Sequence, residues 1–234
     1  MSDFRGYDIS RAGQISTVET RNKVLRNTYL LLAISMIPTV FGAWLGIATG
    51  ISAAMGARPG ASFMLFMIVA FGLMFAIQRF RNSGVGVALL LGFTFFMGLM
   101  LSRMIGFTLG FSNGASLIML AFGGTAVIFA SMATIATVSK RSFAGLSSWL
   151  FMGVVILILA SVANIFLHLP ALMLTVSLLA IVIFSVYILF DVQRVVNGGE
   201  TNYVTATLAI YLDLYNVFAN LLMILGIFGG NRNN

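Results

Sequence analysis

The chain contains no cysteine among its 234 residues, and only 8% of them are charged. The first absence removes disulfide scaffolds, thiolate zinc sites, thiol nucleophiles and CxxC redox chemistry together. The second excludes an ordinary soluble domain, in which about 25% of residues carry charge. With 60% of the residues apolar, a core of this size cannot absorb the excess and still leave a charged surface outside it, so the excess belongs in a lipid bilayer. A net charge of +7 does not indicate nucleic acid, because the 13 basic residues form no Lys/Arg-rich run. Catalytic-zinc spacing, a phosphate loop and a nucleophile beside a base are all missing, as are the GxGD surroundings of two-aspartate intramembrane proteases. The expectation is a non-enzyme with no tightly bound cofactor.

What is there is a succession of apolar runs, each close to the roughly 20 residues a helix needs to cross the hydrocarbon. Cutting at charges, prolines and glycine-rich breaks gives seven windows, near 28–50, 62–78, 85–101, 115–138, 146–167, 171–190 and 204–228. The pattern predicts an all-α integral membrane protein with seven transmembrane helices. It is organised as a tail (1–27), a seven-helix domain (28–230) and a short C-terminus (231–234). The tail carries Asp3, Arg5, Asp8, Arg11, Glu19, Arg21, Lys23 and Arg26, and the first window is too long for a signal peptide. With the N-terminus cytoplasmic, Arg5, Arg11, Arg21, Lys23, Arg26, Arg79, Arg81, Lys140, Arg141 and Arg194 fall on the inner side. Only Arg58, Arg103 and Arg232 fall outside. That bias is the positive-inside pattern, and it places the C-terminus on the extracytoplasmic face.

Small-residue spacing recurs. Gly42-x-x-x-Gly46-x-x-x-Gly50 and Gly106-x-x-x-Gly110-x-x-x-Gly114 both let helix backbones approach, although the second straddles a connection and equally fits a bend there. Pro38 should kink the first span. Pro170 opens the sixth, and His168, the one histidine, sits at the outer surface.

The informative residues are the charges inside the spans. Asp213 lies about nine residues into the last window, some ~14 Å from its inner end at 1.5 Å per residue. Helical spacing puts Ala206, Ala209, Asp213, Asn216 and Asn220 on one side of that helix, a polar face directed at the bundle interior. Asp191 ends the sixth window, but Val195 and Val196 continue the helix to a stop at Gly198-Gly199, leaving the aspartate ~10 Å from the inner end. On antiparallel neighbours the two carboxyls reach similar depth and can meet. Two carboxylates in one low-dielectric site cannot both ionise cheaply, so they titrate as a pair and hold either a shared proton or a bound cation. The opposing reading makes Asp213 a packing carboxyl and Asp191 an interfacial residue balanced by Arg194. Arg79, closing the second span on the same side, is a candidate latch for the pair.

Six stretches carry a family resemblance: Lys23-Val-Leu-Arg-Asn-Thr-Tyr, Gly92-Phe-Thr-Phe-Phe-Met-Gly, Ala121-Phe-Gly-Gly-Thr-Ala, Phe190-Asp-Val-Gln, Gly198-Gly-Glu-Thr-Asn-Tyr and Ala209-Ile-Tyr-Leu-Asp-Leu-Tyr-Asn-Val-Phe. On them the chain resembles the Bax inhibitor-1 (transmembrane BAX inhibitor motif) family, in particular its bacterial YccA-type branch. The resemblance implies a seven-helix fold with the last helix central, in the bacterial cell inner membrane. It further implies a pH-sensitive calcium leak, channel or transporter, with calcium ions and protons as partners, Asp191 and Asp213 as the di-aspartyl site, and Arg79 gating them. It also implies a second role, as substrate and modulator of an FtsH-type membrane protease that grips the N-terminal tail. The best-known enterobacterial member of that branch lacks the two aspartates, whereas this sequence has both.

Overall fold

The computed structural model describes residues 4–57 and 59–230. Among the described residues eight α-helices follow one another: α1 (Phe4–Ala48), α2 (Ile51–Ala57), α3 (Pro59–Phe80), α4 (Gly84–Leu109), α5 (Gly114–Val138), α6 (Ser147–Leu167), α7 (Pro170–Val196) and α8 (Tyr203–Gly229). A single 3-10 turn, Ala144–Leu146, leads into α6. Seven helical stretches are long and apolar enough to span a membrane; the short α2 is not among them and lies in the connection after the first span. Arg58, Arg232 and the 231–234 terminus fall outside the described residues.

The windows differ from the helices mainly at their ends. The third span runs on to Leu109, since Arg103 lies inside α4. Residues 4–27 are not separated from the first span: α1 is continuous from Phe4, with no proline before Pro38 to break it, and passes Pro38 on its way to Ala48. At the end of α7 the glycine pair acts as the stop. Gly198 takes φ +77°, its N–H donates to the Val195 carbonyl (3.1 Å), and the Gly199 N–H donates to the Arg194 carbonyl (2.8 Å). This is a Schellman termination, which needs a residue without a Cβ at that left-handed position.

Helices α1 and α4 share the most extensive helix–helix packing among the described residues. A Cβ on Gly42 would strike the Phe95 carbonyl, one on Gly46 the Ser102 side chain, and one on Gly98 the Thr39 carbonyl. These glycines therefore let the two backbones touch, which is how helices associate where lipid offers no hydrophobic contrast. The second glycine repeat is not a helix face. Gly106 is in α4, Gly110 follows its end and Gly114 opens α5 against the Thr108 carbonyl, so the repeat shapes the α4–α5 turn.

Helix α8 is central: it packs against α1, α3, α4, α5 and α7, while α6 packs on α7 and does not reach α8. The core runs along α8 and its neighbours, with Ile188, Val192, Val204, Ile210 and Val217 all fully enclosed. Tyr211 fastens α8 to two helices, its hydroxyl 2.9 Å from Thr39 Oγ1 and donating to the Thr94 carbonyl (3.4 Å). His168, with φ 51°, caps the C-terminal end of α6 and is exposed.

A carboxyl pair as the candidate functional site

The end of α7 and the start of α8 are locally determined. The side chain of Asn202 accepts from the Val204 N–H (2.9 Å) and the Thr205 N–H (3.2 Å), so α8 starts on a polar cap. The same side chain donates to the Arg81 carbonyl (3.1 Å) and to Asn82 Oδ1 (2.7 Å), tying the α7–α8 turn to the α3–α4 turn. With both helix ends fixed, Asp191 and Asp213 are carried to one level, close enough for their charges to act on each other. Asp213 is only 5% exposed. Its Oδ2 has no hydrogen-bond partner among the described residues. Tyr187, one turn before Asp191, lies within electrostatic range of both carboxyls.

A buried carboxyl close to another, with one oxygen that no donor satisfies among the described residues, can share a proton with it or take part in holding a cation. Asp191 also faces outward. Arg194 Nη1 stands 3.5 Å from Asp191 Oδ1, and Nη2 stands 3.7 Å from Glu200 Oε2. A small cleft lined by Asp191, Arg194, Glu200, Thr205, Ala206 and Ala209 leads from there to the surface.

Arg79 is not brought to this pair. It is exposed at the end of α3 and forms no ion pair among the described residues. The reason lies in the packing: α3 lies against α4, with only a marginal contact to α8 and none to α7. The guanidinium beside Asp191 belongs to Arg194 instead. Asn216 and Asn220 sit half-buried on α8, but their amides donate back to the Leu212 and Asn216 carbonyls (2.8 Å each) within their own helix. They extend the polar side of α8 without bonding to another helix.

Two residues near the site escaped the sequence reading. Gln193 is 4% exposed and grips the α5–α6 connection at two points, Oε1 accepting from the Phe143 N–H and Nε2 donating to the Arg141 carbonyl (2.7 Å each). Its signal was an uncharged polar residue directly after a buried valine near a helix end. Glu200 accepts from the Asn202 N–H (2.9 Å) and so presents a fixed carboxylate to Arg194; nothing in its local sequence marks it out.

The chain is 36% identical to an uncharacterized membrane protein of Vibrio cholerae over 92% of this chain and 93% of that one. It is 35% identical to the Modulator of FtsH protease YccA of Escherichia coli K12, covering 93% and 96% of the two chains. The protein of a second Escherichia coli strain, at the same identity and coverage, is called Inner membrane protein YccA. The sequence profile of the family described as Inhibitor of apoptosis-promoting Bax1 matches residues 21–231. With a match of that extent on a bundle of seven apolar helices, this chain belongs to the Bax1-I family of membrane proteins.

Proposed function

We propose that the chain is an inner-membrane interaction protein, a modulator and substrate of an FtsH-type membrane protease. The observation that supports this reading is similarity over nearly the full length to a protein named as a modulator of that protease. The fold supplies a handle for such a partner. Helix α1 begins at Phe4, whereas the apolar window of its sequence begins near residue 28, so roughly 36 Å of helix at 1.5 Å per residue precedes that window. Under the basic-residue bias this end lies in the cytoplasm and the C-terminus on the other face. Removing residues 1–20 lengthens the lifetime of the chain in cells that contain the protease; an unchanged lifetime counts against engagement through this segment.

A second reading is favoured by Asp213, buried without a donor opposite Asp191. In this reading the pair is a proton- and calcium-responsive element of a cation leak, and occupancy shifts the packing of α7 on α8. Calcium flux into liposomes carrying the full chain, followed across pH, is then lost in Asp213→Asn. Flux that is absent at every pH, or indifferent to that substitution, removes this reading without touching the first.

A further inference from the structure

We propose that Arg194 is a tethered competitor for cations: its guanidinium, lodged between the Asp191 and Glu200 carboxylates, closes the cytoplasmic mouth of the Asp191–Asp213 pair, and an incoming cation must displace it. The proposal rests on the second reading above, in which the pair takes a cation.

The two carboxylates are the fixed parts of this mouth. Asp191 stands on α7, with a side chain 12% exposed. Glu200 is held by the turn, its Oε1 accepting from the Asn202 N–H (2.9 Å) and its own N–H donating to the Arg194 carbonyl (3.1 Å). Thr205 also lines the cleft, and its hydroxyl donates to the Asn202 carbonyl (3.0 Å), so it brings no free donor to the mouth. An acceptor-lined mouth of this kind attracts positive charge, and the charge it holds is the arginine's.

The arginine is the movable part. Its side chain is 45% exposed, and contacts of 3.5 and 3.7 Å are longer than the roughly 2.7–2.9 Å of a charge-assisted hydrogen bond. Ion pairs this open are worth at most about 1 kcal/mol, so a cation can displace them. The Phe190 ring, 5.8 Å from the guanidinium carbon, offers a further contact on the same helix. Among the described residues the guanidinium forms no ion pair with Asp213, whose Oδ2 stays unpartnered. Ala206 and Ala209 form the α8 wall of the cleft and leave it open to a small ion once the arginine has swung aside.

The test is calcium binding to the purified full chain in lipid nanodiscs, with Ca2+ alone as probe and one pH throughout. Arg194→Gln tightens binding about fivefold, the factor an exposed ion pair of this kind represents. Arg194→Lys restores the wild-type affinity by returning the competing charge, a rescue that a purely structural role would not produce. Arg194→Met, which lacks both charge and hydrogen bonding, matches Arg194→Gln and guards against a defect peculiar to one variant. If wild type binds and Asp213→Asn does not, yet Arg194→Gln and Arg194→Met leave the affinity unchanged or weaker, the competitor role is overturned and the cation-binding pair stands. If no variant binds Ca2+, both fall together.

Discussion

Helices α6 and α8 are both apolar and long enough to span the membrane, and the more apolar of the two is the less enclosed. Among the residues of α6 only Leu150 and Leu157 are buried, and Trp149, Phe151, Ile158 and Phe166 are exposed. Helix α8 buries ten residues, from Val204 to Leu222, and these include Thr205, Thr207, Tyr211 and Asp213. In water the greasier helix would be the inner one. In a bilayer apolar side chains are as well placed against lipid as against protein, so hydropathy does not sort helices into core and periphery. Polar groups do the sorting, because a hydroxyl or carboxyl needs a partner that lipid cannot supply. Tyr211 bonded to Thr39 and Thr94, and Asp213 against Asp191, are why α8 sits where it does.

The contrast can be broken by substitutions that are equal on paper. Leu222 is fully enclosed and Ile158 is 57% exposed. In lipid the transfer contribution to truncation largely vanishes and the cavity contribution remains, so Leu222→Ala costs about 2 kcal/mol of stability. Reversible unfolding in mixed micelles measures this, and a loss close to zero would show that α8 is not packed as described. The next effect in size is at Gln193→Ala, where the Phe143 N–H and the Arg141 carbonyl lose their partners near the start of α6. The expected loss is about 1.5 kcal/mol, with faster hydrogen exchange confined to the α5–α6 connection. Exchange that spreads instead through α8 would mean that Gln193 supports the core rather than the rim. Ile158→Ala is the smallest, within about 0.5 kcal/mol of wild type, and a loss matching that of Leu222→Ala would erase the distinction between the two helices.

Much of this architecture is legible in the residues. The seven windows lie within the seven spanning helices to within a few residues at most ends, because charges, prolines and paired glycines mark where a chain leaves the hydrocarbon. The third window stopped short at Leu101 because Arg103 reads as a boundary, although an arginine near a helix end can keep its stem in lipid and its head in water. Asp191 and Asp213 stand out in the sequence because so few charges lie inside spans. The Asp191–Arg194 pair was legible as neighbours one turn apart on a helix, and it belonged to the opposing reading; what keeps Arg79 away, the packing of α3 on α4, was not. Gln193 and Glu200 act through the backbone of a connection and through a turn, contacts that leave no periodicity to read. The glycines at 42, 46 and 98 carry a recognisable spacing only on α1; their partner on α4 stands alone in the sequence and shows its role only across the interface.

The central claim is that this chain works on an FtsH-type protease from within the membrane, with α1 as the point of engagement. The most direct measurement follows the half-life of a second membrane substrate of that protease in membranes containing the full chain, the chain lacking residues 1–20, the Asp213→Asn chain, or none. The full chain and Asp213→Asn lengthen that half-life to the same extent, and the truncated chain does not. A half-life that is the same in all four membranes would contradict the account.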